Sequence, residues 1–478
     1  MTLLSRRQFL QHSSIIAAAA AALGPSAVAE EVVRPVRKVG PNDRLRVACI
    51  GFNGQGKSHL AQFASLPDTI VTHICDVDSR LAADGIKRVA ERQKVEPVFV
   101  QDLRRIMDDK NIDIVSIATP NHWHALAAIW AIQAGKDVYV EKPVSHNVWE
   151  GRRIVDFARK HGRIVQTGTQ SRSNSGMRET IDYVRSGKIG EVKLAYGLCY
   201  KLRPSIGPKT ETPVPEGVDY DLWLGPAPVK PITRRRFHYD WHWFWDYGNG
   251  DLGNQGIHEM DKARWGLGKT TLPRSVFSFG GRFGYEDAGE TANTQVCVFD
   301  YEDATLIFEV RGLPTKDFKG AKVGNVWIGT NGYVVSPSYD SGIVYAPDGS
   351  EVARFKGGGN HYANFVQAVR SRKFTDLAAD IEEGHISSAL CHLGNISYRL
   401  GTVNPAVAKN RDVAEGKESL ERMLAHLEDN KVDIENLPLR VGRKLRIDPS
   451  QEKFVGDAEA DQLLSREYRK GFEVPTKT

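Results

Sequence analysis

Residues 45–56 constrain this chain more than any other stretch. Leu45-Arg46-Val47-Ala48-Cys49-Ile50 is a largely apolar run of strand length, and it leads straight into Gly51-Phe52-Asn53-Gly54-Gln55-Gly56. A helix is predicted over residues 57–65, then a strand over 70–75 closed by Asp76. Glycines between a strand and a helix allow a tight turn and a close backbone approach to a pyrophosphate, whose charge meets the helix N-terminus. The spacing is G-x-x-G-x-G with Asn53 in the middle, a residue type that tolerates left-handed backbone. Asp76 follows Gly51 by 25 positions, near the spacing of a ribose-binding acid. Gly51, Asn53, Gly54, Gln55, Gly56 and Asp76 are therefore candidate dinucleotide contacts. Asp76 would accept both ribose hydroxyls of NAD and repel a 2′-phosphate, whereas Arg80 would favour one, so NAD is expected and NADP stays open.

The alternation continues. Strands are predicted at 98–100, 114–118, 138–140 and 164–167, with helices at 79–92, 103–108, 123–134 and 147–161 between them. That pattern implies a doubly wound parallel sheet, an N-terminal Rossmann domain over 44–170. Beyond it, β-type runs at 192–200, 275–280, 294–301, 304–310, 326–329 and 342–345 predict a second, α+β domain over 171–402 built on a large, mostly antiparallel sheet. Residues 403–478 are charged and partly helical, an extension without assignable chemistry.

Residues 1–29 resemble a twin-arginine export signal: Ser5-Arg6-Arg7-Gln8-Phe9-Leu10, an apolar stretch too short to span a bilayer, then Ala27-Val28-Ala29. An uncleaved anchor is the competing reading. Periplasmic delivery and no membrane contact after cleavage are expected, and residues 30–43 form an arm. A formal net charge of +5 spread over 478 residues gives no case for nucleic acid. Five dispersed cysteines give neither a disulfide framework nor a metal spacing, and no metal is expected.

Chemistry concentrates where predicted strands end. Asp137-Val-Tyr-Val-Glu141-Lys142-Pro143 halts a strand at an acid, a base and a proline, placing Glu141 and Lys142 at the sheet's carboxyl edge, where open α/β sheets bind ligands. A lysine there can hydrogen-bond a substrate oxygen or shuttle its proton. Thr119-Pro-Asn121-His-Trp-His124 follows the preceding strand; Thr119, Asn121 and His124 are candidate cofactor contacts, and helix capping is the plainer role for Thr and Asn. In Asp251-Leu-Gly-Asn254-Gln-Gly-Ile-His258-Glu-Met-Asp261, a helix starting near Asn254 would put His258 on the same face, a natural proton acceptor. The aromatic run 237–247 suits sugar faces, with Trp241 the candidate, although core packing serves equally.

Together these motifs resemble the Gfo/Idh/MocA oxidoreductases, from residue 44 to about 400. The resemblance implies NAD(P)-dependent oxidation of a sugar or polyol, with Lys142 as the catalytic lysine and His258 as the acid/base. It also implies Gln170 beside the cofactor, Arg172, Tyr200 and Trp241 toward a carbohydrate substrate, and a homodimer or homotetramer assembled through the second sheet. The family's aspartate four residues before the histidine is Asn254 here, which leaves Asp251 as a substitute partner. Two alternatives accompany this expectation. One is an NAD-assisted glycosidase, whose His-Gly-rich segment is not found in this sequence; the other is a catalytically silent sugar- or nucleotide-binding protein.

Overall fold

The computed structural model describes residue 40 and residues 42–478; the expected export signal and nearly all of the arm lie outside the described residues. Six parallel strands, β1 (Leu45–Ile50), β2 (Thr69–Cys75), β3 (Val98–Val100), β4 (Ile114–Ile117), β5 (Asp137–Val140) and β6 (Val165–Thr167), lie in the order β3-β2-β1-β4-β5-β6. Covered on both faces, the central strands carry near-continuous apolar sequence. The order reverses between β1 and β4, and that reversal opens a crevice at the carboxyl edge.

Helices α1 (Gly56–Ser65), α2 (Ala82–Gln93), α3 (Asn121–Gln133) and α4 (Val148–Lys160) connect these strands. Asn147 caps α4 by accepting from the Glu150 amide at 2.9 Å, while Glu150 accepts from the His146 amide at 2.8 Å. All five cysteines are buried and unpaired, as small core side chains.

The second sheet has twelve strands. β7 (Val192–Cys199), β8 (Ser275–Gly281), β9 (Thr294–Asp300), β10 (Thr305–Arg311), β11 (Val323–Gly329), β12 (Gly332–Ser336), β13 (Ser341–Tyr345) and β14 (Glu351–Lys356) form its body in the order β14-β13-β12-β11-β7-β10-β9-β8. Every neighbouring pair there is antiparallel except β7 and β10. Its inner face packs on α5 (Ser175–Arg185), α6 (Gly250–Gly253), α7 (Gly256–Gly266) and α9 (Ile381–Arg399).

Two features differ from the expected partition. Helix α8 (His361–Ser371), late in the chain, covers the first sheet: Tyr362 stacks on Tyr139 at 4.8 Å, and Phe365 is buried among Val47, Phe63 and Tyr139. The extension is also part of the fold. It supplies β15 (Thr402–Val403), β16 (Arg440–Val441), β17 (Leu445–Asp448) and β18 (Lys453–Phe454), and helix α10 (Lys417–Asp429), which lies across the sheet's outer face. No helix of the described residues is long and apolar enough to cross a membrane.

Candidate functional site

A cavity of about 610 Å³ lies along the carboxyl edge of the first sheet and is closed on the far side by segments of the second domain. Its first end is built by the glycine loop. Gly51 takes φ +75°, and a Cβ there would meet the Ala118 carbonyl at 2.8 Å; a Cβ on Gly56 would fall 1.9 Å from the Gly51 oxygen. The turn can close only with glycine at both positions. The left-handed residue is thus Gly51 and not Asn53. Gly54 has nothing within 4 Å of its Cβ position and lines the cavity with Asn53 and Gln55, whereas Gly56 packs behind the wall.

Asp76 faces the same end. Its carboxylate accepts the Phe52 and Asp78 amides, each at 3.1 Å, so it is fixed to the loop. Burial raises its pKa against those two bonds. Arg80 is committed elsewhere: it donates to Asp78 at 2.8 and 2.6 Å and is not in the wall, so it does not present itself to a 2′-phosphate. Thr119 and Asn121 do not cap α3, whose N-cap is Pro120 with no side-chain bond. Instead Asn121 donates to Asn249 at 2.9 Å, and the buried Thr119 hydroxyl has no partner among the described residues. An orphaned hydroxyl, an open glycine backbone and a fixed ribose-type carboxylate fit a dinucleotide. His124 lies between the Pro143 and Thr119 carbonyls at 2.6 and 2.8 Å, and so ties the two loops together.

At the other end, β5 delivers Glu141 and Lys142, and the Lys142–Pro143 peptide is cis. Burial alone would raise the Glu141 pKa, but a 3.0 Å bond from His59 and the electrostatic pull of His59 and Lys142 together outweigh it and hold the carboxylate at about 2. Lys142 Nζ donates to the Asn254 main-chain oxygen at 2.9 Å, and burial lowers its pKa. The helix expected to start near Asn254 starts at Gly256: α6 ends at Gly253, so Asn254 lies in the gap between α6 and α7 and its carbonyl is free to accept from Lys142. His258, on the first turn of α7, packs its ring 4.8 Å from that of Tyr339. Burial, then the charge of Lys142, push its pKa to about 3, so the imidazole is neutral near pH 7. Its Nδ1 is buried without a partner among the described residues.

The first domain matches the model of the oxidoreductase family with NAD-binding Rossmann fold over residues 45–169, and the second matches that family's C-terminal alpha/beta domain over 200–426. The chain belongs to the Gfo/Idh/MocA oxidoreductase family. It is 28% identical over 171 residues to inositol 2-dehydrogenase of Salmonella typhimurium, a match covering 35% of this chain and 49% of that protein. With a glycosyl hydrolase family 109 protein of a Shewanella species it shares 31% identity over 164 residues, covering 31% and 34% respectively. The chain thus spans half or less of the length of these curated relatives. The solved complex of a levoglucosan dehydrogenase with NADH and levoglucosan superposes with a TM-score of 0.55 at 20% identity, over 74% of this chain and 97% of that one, a likeness of fold.

Within this Gfo/Idh/MocA chain the cavity gathers Lys142, Asn254, His258, Gln170 and Trp241 beside the glycine loop, Asp76, Thr119, Asn121, His124 and Glu141. Two expected substrate contacts lie elsewhere. Arg172 is buried in bonds to Asp261 at 2.8 and 2.9 Å and to Glu383 at 2.9 Å, so it braces α7 and α9. Tyr200 points to the outer face of the second sheet and hydrogen-bonds Glu309 beneath α10. Asp251 is no partner for His258 either: its carboxylate is taken by Arg203, at 2.6 Å. Most of the aromatic run is core: Phe237, Trp241, Trp243, Phe244 and Tyr247 pack in one buried cluster with Trp223, and of these Trp241 also reaches the cavity wall, beside His238, Tyr239 and His242. Lys201, Arg203, Gln255 and Tyr339, which the sequence does not single out, complete the site.

Proposed function

We propose that this chain is an NAD-dependent sugar or polyol oxidoreductase that passes a hydride between a carbohydrate hydroxyl carbon and a tightly held nicotinamide. The observation that carries the reading is the sharing of one cavity by Lys142, His258 and the glycine loop. Bound NAD supplies the hydride acceptor. The protein's own part is to hold and deprotonate the reacting hydroxyl. Lys142 donates to that oxygen and steadies its developing charge, with Glu141 behind it and the Asn254 carbonyl fixing its amine. The neutral His258 imidazole has a vacant lone pair for the proton. Trp241, stacked on His242 at 3.7 Å, offers an aromatic surface to the sugar ring. The relatives named for inositol and levoglucosan oxidation support the substrate class. The N-terminal pattern supports twin-arginine export to the periplasm with the cofactor already in place, and a homo-oligomeric enzyme remains part of this reading.

A second reading, NAD-assisted glycoside cleavage through a transient keto-sugar, is favoured by the 31% identity to a family 109 glycosyl hydrolase. One experiment separates them. The protein is purified without added nucleotide, denatured to identify what it releases, and titrated with sugars and glycosides while nicotinamide absorbance is followed. Reduction by a free sugar, lost by roughly 10²–10³-fold in Lys142→Met with nucleotide still bound, is the expected outcome. Free sugar released from a glycoside without net reduction establishes the second reading. Bound nucleotide that no sugar reduces, and no glycoside cleavage, point to a silent binding protein.

A further inference from the structure

Five ionisable side chains other than histidine, tyrosine and cysteine line the cavity, and their charges are unevenly placed. The acids, Asp76 and Glu141, are engaged: Asp76 by two amides at the ribose end, Glu141 by His59. The cations, Lys142, Lys201 and Arg203, all face the substrate end. Arg203 is neutralised by Asp251, to which it donates at 2.9 and 2.6 Å. Lys201 is not. Its Nζ donates to the Gln255 side-chain oxygen at 2.9 Å, and it pairs with no carboxylate among the described residues. Lys142 and Lys201 therefore converge on adjacent residues, Asn254 and Gln255, from opposite domains. After burial, the positive charge of Lys201 is one of the causes that lower the Lys142 pKa. Lys201 is exposed to solvent, and its uncompensated charge in the same cleft as Lys142 raises the local concentration of anions.

We propose that the carbohydrate substrate carries an anionic group, a carboxylate or a phosphate, and that Lys201 is the residue that recognises it. This rests on the carbohydrate reading of the site above. Lys142 is occupied with the reacting oxygen, whereas Lys201 has ammonium hydrogens left after its bond to Gln255. A point charge on a flexible stem suits either anion, and the absence of an acid opposite it leaves the ligand to supply the counter-charge. A neutral polyol would leave that excess charge unanswered.

The test uses the full chain with NAD bound and matched probes: glucose against glucuronate and glucose 6-phosphate, and galactose against galacturonate. Binding is read by quenching of tryptophan fluorescence, which does not depend on hydride transfer, and turnover by nicotinamide absorbance. At least one anionic probe is expected to bind ten-fold or more tightly than its neutral parent, with the preference falling as salt rises. Lys201→Gln should erase the preference while nucleotide affinity stays unchanged, and Lys201→Arg should restore it. Which probe wins tells a carboxylate from a phosphate. A panel in which no acid outbinds its neutral parent overturns the proposal, as does a Lys201→Gln protein that keeps the preference or loses nucleotide instead. Preferential binding without reduction of the nicotinamide upholds the anion site and counts against the oxidoreductase reading.

Discussion

Asn254 stands where the family resemblance implies an aspartate that would stabilise a charged imidazole at His258. With an amide there, burial and Lys142 hold the ring at a pKa of about 3, so the base remains unprotonated far below neutrality. Asn254→Asp adds a negative charge that favours the imidazolium, which raises the pKa by about 1 unit or more. Below that pKa the base is already protonated, so the acid limb of kcat/KM should move to higher pH in the variant. The pH–rate profile and a nuclear magnetic resonance titration of His258 both measure the shift; an unmoved limb would mean that His258 is not the proton acceptor. At this scale the sequence was legible where a backbone signal marked the residue. Gly51 and Lys142 sit at strand ends marked by a glycine and a proline, and Asp76 closes the next strand at a set spacing from Gly51. Tyr200 misses the cavity because side chains alternate out of the end of β7: Cys199 faces the helices, Tyr200 just past the strand the outer face, and Lys201 the cavity. Register of that kind depends on strand pairing, which residue type alone does not report.

At the scale of elements, three pieces of chain meet at Glu452, just before β18. Its carboxylate accepts from Arg152 on α4 at 2.6 Å and from His385 on α9 at 2.9 Å, and Arg152 also pairs with Glu382 on α9 at 2.8 Å. Burial alone would raise the Glu452 pKa; those partners instead hold it at about 2, below the 4.5 of a free glutamate. A depressed folded pKa gives stability that is fully present above about pH 4.5 and is lost as pH falls toward 2, on the order of 2 kcal/mol for this group. Denaturant unfolding of wild type and Glu452→Gln should therefore differ at pH 7 and converge near pH 2–3, and a gap that persists into acid would contradict the linkage. The strand–helix alternation of the first domain could be read from apolar runs punctuated by glycine and proline. The start of α7 was legible as a glycine-rich turn near Asn254, but the use of the Asn254 carbonyl was not, because its partner, the Lys142 amine, comes from the other domain.

For the whole molecule, the decisive addition is the extension. Leu420, Met423, Leu424 and Leu427 of α10, with Leu437 and Leu439, bury Phe277, Phe279, Val296, Val298 and Ile307 on the outer face of the second sheet. Beneath them, Glu309 is held by Arg311 at 2.9 Å and by Arg422 of α10 at 2.5 Å. The last residues then return to the first domain, where Phe472 packs edge-on to Trp123 at 5.7 Å, while Arg469 donates to the Gly225 carbonyl of the second domain at 2.8 Å. The resemblance implies assembly through this sheet; here the face over β7–β10 is covered by the chain's own α10. Its partly helical character was visible in the sequence, but not the sheet it covers, which lies more than a hundred residues upstream. Ending the chain after residue 402 would strip that cover. Each exposed side chain of this size forfeits about 1.5–3 kcal/mol of burial, and Glu309 would lose its Arg422 partner. The truncated protein is expected to self-associate or precipitate, by light scattering, at concentrations where the full chain stays dispersed, and to unfold at lower denaturant. A truncated chain equal to the full one in both respects would mean that the extension is an appendage rather than part of the fold.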